Sequence, residues 1–278
     1  MRPGAATILL PVLLAASAGG QTKAPEHAKP PRADRPSPRA DRNSELAHQD
    51  LVAKARSGGT DVYFLGDSIT RRWGTSDEKY RPLFENWKRN FFGWNASNFG
   101  WGGDRTENIL WRVRNGELKG VHPRVIVLMA GTNNVGSGAP AGKAEIEARG
   151  SEVAKGVAAI VSVCRKEAPA AVIILMAVTP RADNVLVMPI IDRLNEQIAR
   201  LADGRRVRFL NLKGSLTDSE GRLLTEMTDP DRLHLTVAAY QVWADALKPV
   251  LTELLGPPAA VDHAPPPTGD PSARPARE

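Results

Sequence analysis

The apolar run Val62-Tyr63-Phe64-Leu65 leads directly into the polar turn Gly66-Asp67-Ser68-Ile69-Thr70. A short apolar run that ends at a glycine-containing turn is typical of a buried strand followed by a helix. Gly66 allows a sharp turn, and Ser68 would then stand at the N-terminus of the helix, in a positive local potential. The pattern therefore predicts an exposed Ser68 hydroxyl, placed either as a nucleophile or as an ordinary helix cap.

Four further apolar runs follow, separated by segments of helix length. Val125–Met129 and Val172–Met176 are continuously apolar, as expected of strands buried on both faces of a parallel sheet. Residues 95–99 and 207–212 form weaker runs. Helices are predicted over residues 77–91, 106–114, 143–167, 187–201 and 236–255, where apolar residues recur at helical spacing or a stop signal follows.

Alternating strands and helices predict an α/β fold with a mainly parallel sheet of five strands. In such a sheet, the loops at the carboxyl ends of the strands converge on one edge, where ligands bind. The loops after the first three predicted strands are residues 66–70, 100–105 and 131–134, and each contains glycine. We therefore expect these three polar loops to lie at the same edge.

The two ends of the chain differ from its middle in composition. Residues 1–43 carry seven of the 22 prolines, and residues 257–278 carry another seven. Beyond the first twenty residues, neither end shows apolar periodicity. We predict one folded domain at residues 44–256, a disordered Pro/Arg-rich linker at residues 19–43 and a disordered Pro-rich tail at residues 257–278.

The first residues have the three parts of an export signal in order. Arg2 gives a basic start, residues 5–16 are apolar, and Ala16-Ser17-Ala18 offers a small-residue cleavage site. The apolar run is too short to span a bilayer comfortably. We predict a signal peptide at residues 1–18, a secreted or periplasmic protein and no stable membrane anchor.

Charge and cysteine content exclude some function classes. The formal net charge is +6 over 278 residues, but the middle of the chain has no basic stripe interleaved with aromatic residues, so we expect no nucleic-acid partner. Cys164 is the only cysteine, which rules out an intrachain disulfide and a Cys-based metal site. No two histidines fall at metal-ligand spacing. We predict neither a metal nor a cofactor.

His234 is the candidate base among the five histidines: His27 and His263 lie in the predicted tails, and of the other three only His234 follows the last predicted strand and can return to the loop edge. Asp231 stands three residues earlier, so its carboxylate can reach the Nδ1 atom of His234 and orient the ring. Asp229 is an alternative partner by proximity. The simpler interpretation is a surface loop with a helix-capping histidine.

Two other loops contain groups that can stabilise an oxyanion. Gly102-Gly103 allows a close approach of backbone N–H groups, and Asn133 can offer a side-chain N–H. The Ser68 N–H would be a third donor. The alternative for each loop is an ordinary turn. Trp101 lies beside these loops and is a candidate for lining the cleft.

Four separated blocks together resemble the SGNH hydrolase superfamily, also called GDSL esterases, which is defined by Ser, Gly, Asn and His in four blocks. The blocks here are Gly66-Asp67-Ser68, Asn98-Phe99-Gly100-Trp101-Gly102-Gly103-Asp104, Gly131-Thr132-Asn133-Asn134 and Asp231-Arg232-Leu233-His234. Residues 98–134, NFGWGGDRTENILWRVRNGELKGVHPRVIVLMAGTNN, look most like the catalytic subunits of the intracellular platelet-activating-factor acetylhydrolases.

This resemblance implies a flavodoxin-like, three-layer α/β/α sandwich and assigns roles to individual residues. Ser68 would be the nucleophile, His234 the base and Asp231 the orienting acid. The Ser68 N–H, the Gly103 N–H and the Asn133 side chain would form the oxyanion hole. The resemblance also suggests a homodimer.

The resemblance further implies that Ile69, Thr132 and Leu233 line a small acyl pocket. The first block reads GDSIT rather than GDSL, which changes the wall beside the nucleophile. The predicted export signal contrasts with intracellular relatives, whereas secreted relatives often remove acetyl groups from carbohydrates. We therefore expect a secreted serine esterase for short-chain acetyl esters, with acetylated carbohydrates as a substrate class. The alternatives are a lysophospholipase or thioesterase for longer acyl chains, and a non-catalytic binding module.

Overall fold

The computed structural model of the chain describes Met1 and residues 32–274. The predicted signal peptide beyond Met1 and the predicted linker up to residue 31 lie outside the described residues. None of the helices in the described part of the chain is long and apolar enough to cross a membrane.

Five parallel strands form one sheet at the centre of the domain. They are β1 (Val62–Gly66), β2 (Ala96–Asn98), β3 (Val125–Met129), β4 (Val172–Met176) and β5 (Val207–Leu210). Their spatial order is β2-β1-β3-β4-β5, and every neighbouring pair is parallel. This is the flavodoxin-like order, so the predicted α/β fold and its five-stranded parallel sheet are confirmed.

Helices cover both faces of this sheet. They are α1 (Arg42–Arg56), α2 (Ser68–Trp73), α3 (Arg81–Phe91), α4 (Thr106–Arg112), α5 (Lys143–Glu167), α6 (Met188–Ala199), α7 (Lys213–Leu216) and α8 (Val237–Leu255). A π-helical segment, Val113–Glu117, continues α4, and short 3₁₀ turns occupy Glu78–Tyr80, Val185–Val187, Thr225–Met227 and Pro271–Ala273.

Alternate residues of each strand point to opposite faces, and both faces are buried. Tyr63 and Leu65 of β1 pack into a core with α1, α4, α5 and α6. Val62 and Phe64 pack into a second core with α2, α3, α7 and α8. Burial on both sides explains why the three central strands, β1, β3 and β4, are continuously apolar rather than alternating. The result is the three-layer sandwich expected from the resemblance.

The predicted disordered linker is wrong from residue 32 onward. Thr106 Oγ1 donates to the Ala33 carbonyl at 3.0 Å, and Asn108 Nδ2 donates to the Ser37 carbonyl at 3.0 Å. The chain then enters α1, whose first residue, Arg42, lies inside the predicted linker. This segment is held by hydrogen bonds from side chains to its backbone, so it does not need the apolar periodicity that the prediction sought.

The predicted disorder of the tail is also wrong for residues 257–274. Thr75 Oγ1 donates to the Thr268 carbonyl at 3.0 Å, and the Asp270 amide donates to Asp77 Oδ1 at 2.6 Å. The Asp270 carboxylate also accepts a hydrogen bond from Asn43 at 2.9 Å, so the tail reaches α1. Prolines in an extended strap lose little entropy on ordering, and polar contacts hold the strap to the domain.

Candidate active site

Ser68 lies where β1 ends and α2 begins, at the carboxyl edge of the sheet. Asp67 is the N-cap of α2, and its side chain accepts a hydrogen bond from the Ile69 amide at 2.9 Å. The Ser68 amide belongs to the first turn of the helix, where no carbonyl of the same helix can accept its hydrogen. This N–H is therefore available to a bound oxygen beside the Ser68 hydroxyl.

The turn before Ser68 requires a residue without a side chain. β1 and β3 pair through Gly66 and Met129 at this point. A Cβ atom on Gly66 would lie only 2.6 Å from the Met129 carbonyl oxygen. A larger residue would push the Ser68 loop away from the sheet edge.

Helix α2 is short, and neighbouring elements hold it in place. Trp73 at its end is completely buried and stacks on Tyr240 of α8, with ring centroids 4.9 Å apart. The Tyr240 hydroxyl donates to the Ile69 carbonyl at 2.5 Å. Asn98 Nδ2, at the end of β2, donates to the Thr70 carbonyl at 2.7 Å. These contacts fix the position of Ser68 relative to α8 and β2.

The structure brings Ser68, His234 and Asp231 together. His234 Nε2 lies 2.8 Å from Ser68 Oγ, and His234 Nδ1 lies 2.7 Å from Asp231 Oδ2. A carboxylate only accepts hydrogen bonds, so Nδ1 carries the ring hydrogen and Nε2 is left to accept one from Ser68. The other carboxylate oxygen, Oδ1, accepts the backbone amides of His234 and Leu233 at 2.9 and 3.1 Å.

Asp229, the alternative orienting acid, has a different role. Its backbone amide donates to the His234 carbonyl at 2.8 Å, which closes the loop. Its carboxylate accepts a hydrogen bond from Arg72 Nη1 at 3.2 Å. Asp231 is therefore the carboxylate on the imidazole. Between Asp231 and His234 the loop turns through Arg232, a non-glycine residue with φ of 58°.

The local electrostatics set the charge state of this group. Burial lowers the pKa of His234 from its usual value, and the charge of Arg72 lowers it further, while Asp231 raises it in part. Partial burial alone would raise the pKa of Asp231, but the backbone N–H donors of His234 and Leu233 outweigh burial and hold that pKa well below its usual range. At neutral pH His234 is neutral, which allows it to take a proton from Ser68.

Of the two other loops predicted to supply oxyanion donors, the glycine turn lies against Ser68. A Cβ atom on Gly102 would lie 4.0 Å from Ser68 Cβ, which places the glycine turn against the nucleophile. Gly103 has φ of 75°, in the left-handed region that favours glycine. Asn133 Nδ2 donates one hydrogen to the Asp104 carbonyl at 2.8 Å, which orients its amide and leaves the second N–H for a ligand.

Arg112 is a buried guanidinium that the sequence analysis missed. Its Nε donates to Asp104 Oδ2 at 2.6 Å, and its Nη1 donates to the Phe99 carbonyl at 3.1 Å. Its Nη2 donates to the Gly66 carbonyl at 3.4 Å, and Glu117 is its second carboxylate partner. Because Gly66 ends β1 and Phe99 follows β2, Arg112 joins the nucleophile loop to the glycine turn.

Arg39 is a second missed residue, and it comes from the segment predicted to be disordered. Its Nη1 donates to the Gly102 carbonyl at 3.1 Å and lies 3.7 Å from Asp104 Oδ1. A Cβ atom on Gly103 would lie 3.0 Å from the same Nη1. Arg39 therefore covers the outside of the glycine turn and holds its carbonyl.

Two of the four residues predicted to line the substrate pocket do not do so. Ile69 has no exposed surface and packs in the core between α2 and the sheet, because the first turn of α2 points it inward. Trp101 donates through Nε1 to Ser44 Oγ at 2.8 Å and lines a separate cavity of about 250 Å³ beside α1. Leu233 is half-buried next to His234, and Thr132 is buried next to Asn133.

A groove of about 570 Å³ opens beside the His234 loop. It is lined by Arg232, by Arg181 from the loop after β4, by Lys213 after β5, and by residues 220–226. The Arg181 Nη1 atom donates to the Thr132 carbonyl at 3.2 Å, which links this groove to the Asn133 loop. The groove therefore borders the candidate site on its histidine side.

A metal-ligand cluster or the Cys164 thiol would each be a candidate for a second reactive centre. Within residues 32–274, no group of three or more His, Cys, Asp or Glu side chains is arranged to hold a metal ion. Burial raises the pKa of Cys164 to about 12, so this thiol is not a nucleophile at neutral pH.

Comparison with known proteins identifies relatives of this chain. The sequence model of the GDSL-like lipase/acylhydrolase family matches residues 64–242. The platelet-activating factor acetylhydrolase IB subunit alpha1 of Bos taurus is 30% identical over 212 residues, which cover 75% of this chain and 82% of that protein.

Solved structures show the same fold. A structure from Streptococcus pneumonia whose name refers to platelet activating factor superposes with a TM-score of 0.60 at 25% identity, covering 74% of this chain and 92% of that one. A GDSL-like lipase from Bacteroides thetaiotaomicron superposes with a TM-score of 0.58 at 20% identity, covering 75% and 98% of the two chains.

Proposed function

The chain belongs to the GDSL-like lipase/acylhydrolase family and is a carboxylic ester hydrolase, and from this premise we propose that it hydrolyses short-chain esters, acetyl esters above all. The observation that carries the proposal is the 2.8 Å contact between Ser68 Oγ and His234 Nε2, with Asp231 on the other ring nitrogen. This arrangement provides a nucleophile, a base and a group that fixes the tautomer.

In the proposed first step, Ser68 Oγ attacks the ester carbonyl carbon while its proton passes to His234 Nε2. The carbonyl oxygen becomes an oxyanion, which the N–H groups of Ser68 and Gly103 and the Asn133 side chain stabilise. The ionised Asp231 stabilises the imidazolium that forms. As the tetrahedral intermediate collapses, the bond to the alcohol oxygen breaks, and His234 returns the proton to that oxygen.

The second step repeats the same chemistry with water. His234, neutral again, accepts a proton from a water molecule as the water oxygen attacks the acyl carbon on Ser68. The second tetrahedral intermediate breaks its bond to Ser68 Oγ, which takes the proton back from His234. The products are a free carboxylic acid and the original enzyme.

The alcohol part of the ester would occupy the groove beside the His234 loop, because His234 must reach the leaving oxygen. The charged groups of this groove are mostly paired with opposite charges: Arg181 with Asp183, Lys213 with Asp192, and Arg222 with Asp218. A wall of this kind is polar but close to neutral overall, which suits a hydroxyl-rich, uncharged alcohol. It supports an acetylated carbohydrate as the proposed substrate class.

The first test measures hydrolysis of 4-nitrophenyl acetate by the wild-type chain and by Ser68→Ala. We expect the substitution to abolish turnover, and a variant with near-normal activity would refute the role of Ser68. Ser162→Ala is the matched control, because Ser162 is exposed near the end of α5, which leads to the amino end of β4, at the edge of the sheet opposite the site. Labelling of Ser68 by a fluorophosphonate separates a catalytic site from a binding module that has kept the fold.

The second test measures product release from acetylated xylo-oligosaccharides, from an acetylated phospholipid and from a series of esters of increasing acyl length. Preference for the acetylated sugar supports the proposal. Preference for the phospholipid overturns the carbohydrate assignment, and rates that rise with acyl length point to a lysophospholipase or thioesterase.

We also propose that the protein is exported to the periplasm or outside the cell, on the basis of the order of residues 1–18. The N-terminal sequence of the protein purified from its host tests this, since export predicts a mature chain that begins near residue 19. A homodimer is proposed from the family resemblance alone, and sedimentation measures it directly.

A further inference from the structure

Arg72 lies one helical turn after Ser68 on α2, so the two side chains share a face of the helix. Its Nη1 atom is 3.2 Å from Asp231 Oδ2 and 3.2 Å from Asp229 Oδ2. Asp231 Oδ2 is the same oxygen that receives His234 Nδ1. Ser68, His234, Asp231 and Arg72 therefore form a closed ring of contacts that starts and ends on α2.

We propose that Arg72 is a positioning residue for the proposed hydrolysis: its guanidinium fixes the Asp231 carboxylate against the imidazole and opposes a positive charge on His234. The inference rests on the proposed function, because it concerns the same nucleophile and base.

The exposure of the Asp231 side chain indicates why a contact with Arg72 helps to hold its carboxylate. The Asp231 side chain is 42% exposed, whereas that of Arg72 is only 18% exposed. Two backbone amides hold the Oδ1 atom of this carboxylate, and Arg72 adds a contact to Oδ2, the oxygen that accepts the imidazole N–H. The Arg72 guanidinium is itself held between the two aspartates and the ring of Tyr80, whose centroid is 5.1 Å from its central carbon. The Arg72 guanidinium is therefore itself held in place where it contacts Asp231.

The charge of Arg72 acts on His234 in the direction opposite to that of the aspartates. Burial lowers the pKa of His234, Arg72 lowers it further, and Asp231 and Asp229 raise it. Elements packed around the loop also carry titratable or charged groups, namely Asp67, Tyr80, Arg181, Asp183, Glu226 and Tyr240. Of these, Arg181 is paired with Asp183, and burial raises the pKa of Asp67 to about 7. Arg72 contacts both aspartates of this loop directly.

A purely structural role for Arg72 would lower stability and leave the titration of His234 unchanged. A positioning role moves that titration in a defined direction. Without Arg72, the imidazolium gains stability and the pKa of His234 rises. The base then becomes protonated, and inactive, at a higher pH than in the wild type.

The experiment measures kcat and kcat/KM against pH with 4-nitrophenyl acetate for the wild type, Arg72→Gln, Arg72→Lys and Arg81→Gln. We expect Arg72→Gln to lose roughly ten- to a hundredfold in kcat through misplacement of Asp231, and its acid limb to move to higher pH. Arg72→Lys keeps the charge, so its acid limb should stay near that of the wild type while kcat falls. Arg81→Gln removes an exposed arginine paired with Glu78 and should match the wild type.

Asp229→Asn should move the acid limb in the direction opposite to that expected for Arg72→Gln. It removes a negative charge that favours the imidazolium, so the acid limb should move to lower pH. If Arg72→Gln does not fold, Arg72→Lys carries the test, because a kcat equal to that of the wild type would show that the guanidinium does not position Asp231. An acid limb of Arg72→Gln equal to that of the wild type would overturn the proposal.

A titration of His234 by NMR, assigned with a His234→Gln variant, keeps this inference distinct from the proposed function. An inactive wild type would refute the hydrolysis, yet the pKa of His234 would still be compared directly between wild type and Arg72→Gln. A higher pKa in Arg72→Gln supports the inference, and an unchanged pKa overturns it.

Discussion

Asp231 Oδ2 accepts a hydrogen bond from His234 Nδ1 at 2.7 Å, although Asp229 stands only two residues earlier. Backbone hydrogen bonds determine which of the two carboxylates contacts the imidazole. The amides of Leu233 and His234 both donate to Asp231 Oδ1, which turns the other oxygen toward the ring. The Asp229 carboxylate accepts its hydrogen bond from Arg72 instead.

This arrangement predicts unequal effects of two matched substitutions. Asp231→Asn should reduce kcat by up to about 10⁴, because an amide in this place favours the wrong tautomer of His234. Asp229→Asn should cost far less, because its side chain does not contact the imidazole. The measurement is kcat for 4-nitrophenyl acetate at neutral pH. Equal losses in the two variants would contradict the assignment of Asp231.

The pH dependence of the wild type follows from the state of His234. Only the neutral imidazole can accept the Ser68 proton, so kcat/KM should rise with pH as His234 loses its own proton. Burial and Arg72 lower the pKa of His234. The midpoint of the acid limb should therefore lie below the ordinary histidine value of about 6.5. A pH profile of kcat/KM checks this, and a midpoint above that value would show that Asp231 outweighs burial and Arg72.

Asn133 should contribute to the transition state rather than to the fold. Asn133→Ala removes one oxyanion donor and should lower kcat by roughly 10²–10³ with a small change in KM. Asn134→Ala is the matched control. The Asn134 side chain accepts the Thr106 amide at 2.9 Å and donates to Glu107 at 2.8 Å, so its loss should lower thermal stability more than kcat. The reverse pattern would assign the oxyanion role to Asn134.

The sequence predicted the sheet from local patterns, and it predicted the contact between Ser68, His234 and Asp231 from the connectivity of the sheet and the family resemblance. Continuous apolar runs such as Val125–Met129 mark buried strands, and the connectivity then brings the loops to one edge. Helix α1 was missed because its apolar face consists largely of small residues, and its start lies within the Pro/Arg-rich segment.

The arginines that hold the loops of the site could not be predicted from local sequence patterns. Arg39 donates to the Gly102 carbonyl although it stands 63 residues earlier in the chain, and no local sequence pattern predicts a contact over that separation. The resemblance puts Ile69 on the pocket wall, but the direction of a side chain in the first helical turn depends on how α2 packs, and Ile69 is completely buried. The sequence indicates the other two arginines only weakly. Arg72 stands one helical turn after Ser68, and Arg112 stands three residues after the buried Ile109.

The tail should stabilise the domain. A chain that ends at residue 256 loses the hydrogen bonds of Thr268 with Thr75 and of Asp270 with Asp77 and Asn43. Each such bond contributes roughly 1 kcal/mol, and the entropy of ordering the strap offsets part of the sum. We expect the free energy of unfolding, measured in urea, to fall by about 1–3 kcal/mol. A chain that ends at residue 274 is the control, and equal stability of the two would show that the strap contributes nothing.

Arg112 should be far more important for stability than its exposed neighbour Arg114. Both Asp104 and Glu117 pair with Arg112, and all three side chains are almost completely buried. Burial raises the pKa of Asp104 to about 6 even though Arg112 lowers it, and this pKa should rise further without the cation. Removal of one partner from a buried ion pair costs about 3–5 kcal/mol because the other charge is left unpaired.

Arg112→Met should therefore lower the free energy of unfolding in urea by about that amount, on the order of 3–5 kcal/mol, whereas Arg114→Met should change it little. At temperatures where Arg112→Met is still folded, kcat should also fall, because the Gly66 and Phe99 carbonyls lose the group that joins them. A variant that loses activity with unchanged stability would mean that Arg112 acts on the reaction alone. One that loses stability and keeps the wild-type kcat would mean that the two loops hold their positions without it.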